Sequence, residues 1–71
     1  EMKTEEIRGK DDSEIEFDIA QAEKEYFEMR FRSLTEGNQN PSRLGELRKD
    51  IARMKTILRE RQIGVRGQQS R

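Results

Sequence analysis

A chain of 71 residues that is 42% charged and only 30% hydrophobic cannot close a compact core on all sides. Having neither cysteine nor histidine, it lacks disulfides, thiolate metal sites, the commonest general base and the commonest transition-metal ligand. The formal net charge is zero, but the halves differ: residues 1–36 carry six Lys/Arg and twelve Asp/Glu, residues 37–71 nine and three, giving −6 and +6. Such a split points to one end facing a polyanion and the other facing solvent or protein. Disorder shares the low hydrophobicity but would bring high net charge or no periodicity, and this chain has neither. No apolar run approaches the ~20 residues of a membrane span, and no signal-peptide core is evident, so no membrane partner is expected.

The expectation is one all-α domain over residues 1–71. Residues 1–10, with Met2 read as the start, are polar around Ile7, and Thr4–Arg8 allows a single helical turn before Gly9. Helix 1 is expected over 11–36. Asp11 with Glu14 three residues on forms a capping box, and Ser13 with Glu16 is a rival one. Ile15, Ile19, Ala22, Tyr26 and Met29 then recur at spacings of 4, 3, 4 and 3, one stripe of a helix. Phe27, Phe31 and Leu34 form a second stripe beside it.

Gly37 suits a left-handed C-cap, and residues 37–40 read as a turn. Asn40 then caps helix 2, expected over 41–62, with Pro41 at its first position, where a missing N–H costs nothing. Leu44, Leu47, Ile51, Met54 and Leu58 make a heptad seam, weakened early by Gly45. Gly64 stops the pattern, and residues 63–71 read as a flexible tail. Two long helices joined by so short a connection form an antiparallel hairpin. Its core is expected from Ile15, Ile19, Ala22, Tyr26, Met29, Leu44, Leu47, Ile51, Met54 and Leu58. Phe27 and Phe31 need a third surface, as core or as a docking surface, so the hairpin should lie on something larger.

The strongest chemical feature is the basic run Arg43, Arg48, Lys49, Arg53, Lys55, Arg59 and Arg61. Arg48, Lys55 and Arg59 share a face, with Lys49 and Arg53 on a neighbouring strip. Cations so arranged match a phosphate backbone, where Arg pairs bidentately and counterion release drives binding. A solvated face with intrahelical ion pairs is the plainer alternative. Asp11, Asp12, Glu14, Glu16 and Asp18 lack the glycine and ligand spacing of a calcium loop, and capping explains them better than a metal. No nucleophile–base pair or phosphate loop can be assembled, so neither enzyme activity nor a cofactor is expected.

The segment Asn40-Pro-Ser-Arg-Leu-Gly-Glu-Leu-Arg-Lys-Asp-Ile-Ala-Arg-Met54, continuing Lys55-Thr-Ile-Leu-Arg-Glu-Arg61, resembles the signature helix of the universal large-subunit ribosomal protein L twenty-nine family, of bacterial type. Tyr26-Phe-Glu-Met-Arg-Phe-Arg32 resembles that family's Leu-Phe-Asn-Leu-Arg-Phe-Gln segment, and the likeness runs over residues 2–63. The resemblance implies a structural, non-catalytic constituent of the large ribosomal subunit in the cytoplasm. It also implies binding to large-subunit rRNA near the polypeptide exit tunnel, beside ribosomal protein L twenty-three and near nascent-chain factors. Arg30, Arg43, Arg48, Lys49, Arg53, Lys55, Thr56 and Arg59 fall on matching positions and become the candidate RNA contacts. The neutral total charge and Gly45 depart from the family's pattern. The competing reading is a helical-hairpin interaction module that dimerises into a four-helix bundle through its heptad seams.

Overall fold

A computed structural model describes residues 3–37 and 40–64. Among them are three helices and no strand: α1 (Thr4–Arg8), α2 (Asp12–Glu36) and α3 (Pro41–Ile63). The expected tail beyond Gly64 and the middle of the expected turn lie outside the described residues. At 1.5 Å per residue α2 and α3 are about 37 and 34 Å long, in a molecule of 46 × 18 × 17 Å.

Local chemistry sets the ends of the long helices. The Asp11 carboxylate accepts from the Glu14 N–H at 2.9 Å, and the Ser13 hydroxyl donates to the same oxygen, so Asp11 rather than Ser13 is the cap. Gly37, at φ 73°, closes α2 in the left-handed region, donating to the Ser33 carbonyl. Asn40 accepts from the Arg43 N–H at 3.2 Å, Pro41 opens α3, and Gly64 closes it, also at φ 73°.

Arg61 reaches Asp12 and Arg43 reaches Glu25, so the start of α2 lies at the end of α3 and the two helices run antiparallel. The expected α-hairpin with a short N-terminal helix is the fold. Its core is small: Ile7, Ile15, Met54 and Ile57 are buried against one another, with Ile19, Ala22 and Leu58 packed beside them. Leu47 is buried as well, while Tyr26, Met29, Leu44 and Ile51 are half-buried.

The seam on α3 needs correction. The fully buried line is Leu47, Asp50, Met54, Ile57 and Arg61, again at spacings of 3, 4, 3 and 4 but turned by about one strip from the expected one. Leu44, Ile51 and Leu58 flank it. Two of its five members are charged, so hydrophobicity alone finds the neighbouring strip instead.

Ile7 and Arg61 explain how a hairpin with so little apolar surface closes its open end. Ile7 is 0% exposed, driven into the core from the five-residue α1. Arg61 donates from one guanidinium nitrogen to Asp12 at 2.9 Å and from the other to the Arg8 carbonyl at 2.9 Å. Arg8 in turn lies 3.6 Å from Glu60. One guanidinium fork thus ties all three helices together, and no buried side-chain polar atom among the described residues lacks a partner.

Candidate nucleic-acid interface

On α3 the side opposite the buried line is continuous and charged. Arg48, Ala52, Lys55 and Arg59 follow one another at spacings of 4, 3 and 4, and Lys49 and Thr56 lie beside them seven residues apart; all six are exposed. Arg48 to Arg59 spans about 16 Å of helix axis. Along the middle of this face Ala52 and Thr56 are small, so a ligand backbone can approach closely between the flanking cations.

The eight candidate contacts separate into two groups. Arg48, Lys49 and Arg59 make no ion pair with any described residue and present their full charge to solvent. Thr56 is exposed between them. Arg43, by contrast, is held by Glu25 at 2.8 Å and lies 3.7 Å from Glu46, Arg53 lies 3.5 Å from Asp50, and Lys55 meets Glu23 at 3.1 Å. Arg30 sits apart on α2, donating to the Tyr26 hydroxyl at 3.3 Å with its guanidinium 5.9 Å from that ring's centre. The ion-paired reading of the basic run therefore describes Arg43, Arg53 and Lys55, while Arg48, Lys49 and Arg59 stay exposed. Arg61, the seventh cation of the run, is interior.

The acidic segment has structural work of its own. Asp11 caps α2, Asp12 accepts from Arg61, and Asp18 pairs with Lys10. Among the described residues no group of acids is arranged to hold a metal ion, and no helix is long and apolar enough to cross a membrane. Phe27 and Phe31 stand outside the core, which decides between the two readings of them in favour of an exposed surface. Phe17, which the apolar stripes did not include, is exposed on the same helix.

The described residues thus form a small helical hairpin with an ion-paired seam and one cationic outer face. The family model described as "Ribosomal L29 protein" matches residues 5–61. The chain is 52% identical over 66 residues to the large ribosomal subunit protein uL29 of Gemmatimonas aurantiaca, covering 93% of this chain and 98% of that one. It is 47% identical to the protein of the same name from Bacillus cytotoxicus, over 90% of this chain and 97% of that one. No solved structure matches it. The chain belongs to the ribosomal L29 protein family, whose members are structural ribosomal components and not enzymes.

Proposed function

We propose that this chain is a structural constituent of the large ribosomal subunit in the cytoplasm, and that it holds large-subunit rRNA on the outer face of α3. Arg48, Lys49 and Arg59 supply the principal phosphate contacts, Thr56 donates from between them, and Lys55 joins at the edge while sharing its charge with Glu23. Arg43 and Arg53 contribute less, because their guanidinium groups are already turned to carboxylates. The observation that carries this reading is the set of three exposed cations on one face that make no ion pair with a described residue. The relatives' name places those proteins in the large subunit. The family resemblance adds the finer location, near the exit of the polypeptide tunnel beside ribosomal protein L twenty-three, where nascent-chain factors gather.

The test is a titration of the chain with large-subunit rRNA fragments across a range of salt. Each neutralised phosphate contributes about −0.7 to −0.9 to the slope of log affinity against log salt. Three or four engaged cations therefore give a slope near −3, whereas the whole basic run would give roughly −5 to −6. Arg48→Ala or Arg59→Ala should lower the slope by about 1 each. Arg43→Ala should leave it nearly unchanged. A binding isotherm indifferent to salt would remove the proposal.

A further inference from the structure

One face of α2 is used neither by the hairpin nor by the cations of α3. Phe17, Phe27, Phe31 and Leu34 are 62%, 66%, 67% and 81% exposed. With Ala20 and Lys24 they form the series Phe17, Ala20, Lys24, Phe27, Phe31, Leu34, at spacings of 3, 4, 3, 4 and 3. That is a second heptad seam on the helix whose other side carries Ile15 to Met29. Its C-terminal half forms an open apolar groove between Phe27, Phe31 and Leu34, bordered by Arg30 and Arg32.

We infer that this seam pairs with the same seam of a second copy of the chain, α2 against α2, as an antiparallel coiled coil. In an antiparallel pair the two kinds of core position share layers. Setting Phe17 against Leu34 of the second copy places Ala20 against Phe31 and Lys24 against Phe27, each layer occurring twice by symmetry. A small residue meets a large one in the second layer. In the third, the Lys24 methylenes cover an aromatic ring while the ammonium reaches the rim. At the flanking positions Glu23 faces Arg30 of the second copy, again twice. Parallel pairing would instead put Lys24 on Lys24 and Glu23 against Glu28, so charge selects the antiparallel register.

A phenylalanine buries 150–250 Å², so three rings about two-thirds exposed offer roughly 300–500 Å² per copy. Doubled over the two copies, that area falls in the range of weak, transient interfaces, for which dissociation in the micromolar range or above is expected. The arrangement leaves the outer face of α3 open and, of the eight candidate RNA contacts, engages only Arg30. It also differs from pairing through the hairpin's own seams, which are consumed between α2 and α3.

The experiment is sedimentation equilibrium of the full chain from about 5 to 500 µM, a range bracketing that affinity. Circular dichroism confirms that each variant is folded. The wild type is expected to show a monomer–dimer equilibrium. Phe31→Asp, on an exposed position, should weaken it by about tenfold or more. Glu23→Arg and Arg30→Glu should each weaken it severalfold, and the two together should restore it to near the wild-type value. That recovery separates pairing from folding, because the double variant keeps the loss of the Glu23–Lys55 contact. A folded chain that stays monomeric throughout, or a dimer insensitive to Phe31→Asp, overturns the inference. A double variant no better than the singles overturns the antiparallel register.

Discussion

Replacing Arg61 by alanine should cost this protein a large part of its stability. The Arg61 side chain is 2% exposed and Asp12 is 24% exposed. Removing one member of a buried, hydrogen-bonded ion pair costs about 3–5 kcal/mol, and the partial exposure of Asp12 places this case at the low end, ~3 kcal/mol. A chain of this length has a total stability of roughly 4–11 kcal/mol at ordinary values per residue. The loss is therefore between about a quarter and most of the total, and it should lower the melting temperature by roughly 12–24 °C. Urea denaturation followed by circular dichroism at neutral pH measures it directly. Arg61→Lys should recover only part of the loss, because an ammonium cannot span Asp12 and the Arg8 carbonyl as a planar fork does. Asp12→Asn should be milder than Arg61→Ala, since it leaves an acceptor in place. An Arg61→Ala chain within about 0.5 kcal/mol of wild type, the range of a neutral surface substitution, would refute the claim that this side chain locks the three helices.

Ile7→Ala should cost about 2–4 kcal/mol by emptying a fully buried site, and native-state hydrogen exchange should show α1 and the start of α2 opening first. Combined with Arg61→Ala the losses should be less than additive, because both changes release the same short helix; strict additivity would mean that they act separately. Gly45→Ala should stabilise α3 by up to about 1 kcal/mol, since a Cβ there meets nothing within 4 Å and the backbone is already helical. A melting temperature unchanged or lowered by that substitution would count against the local propensity argument. The hydrogen bond to Asp18 holds the Lys10 ammonium above its ordinary pKa of 10.5. Its stabilising contribution is therefore complete below that value and fades as pH rises through the higher folded-state pKa. The stability difference between wild type and Lys10→Met should be constant near neutrality and shrink in strong alkali; a difference that shrank between about pH 6 and 9 would implicate another group.

Much of the hairpin was legible because its signals are local. Asp11, Gly37, Asn40 and Pro41 each act within one helical turn, and the structure shows the two caps accepting from the first turn, Gly37 in the left-handed region and Pro41 opening α3. The position of the buried line on α3 was not legible, because Asp50 and Arg61 interrupt the apolar pattern that would otherwise have run through Leu47, Met54 and Ile57. Both charges are tolerated inside because their partners arrive from nearby: Arg53 one turn away for Asp50, and Asp12 from the other end of the chain for Arg61. That second pairing is a tertiary fact, and nothing in the spacing of either residue announces it. Ile7 illustrates the same limit, since an isolated apolar residue in a polar segment gives no period to read. The candidate RNA contacts were found as residue types. Which of them are held by carboxylates depends on Glu23 and Glu25 of the facing helix, and so on the fold.

The distribution of ion pairs also explains how a chain of zero net charge can present a cationic face. Asp12, Glu23, Glu25 and Asp50 each meet a cation of α3, so along the seam between the helices acid and base cancel in place. What remains unbalanced on α3 points outward, at Arg48, Lys49 and Arg59. Of the remaining acids of α2, Asp18 is held by Lys10, and Glu14, Glu16, Glu28 and Glu36 are exposed on the other helix, in a molecule 17–18 Å across its short axes. At physiological ionic strength the Debye length is about 8 Å, so a phosphate against the outer face of α3 is largely screened from acids on the far side of α2. The sum over the chain is therefore the wrong quantity for its encounter with a polyanion. The local field of one helix face decides the orientation, and raising the ionic strength weakens that contact without improving the balance of charge elsewhere.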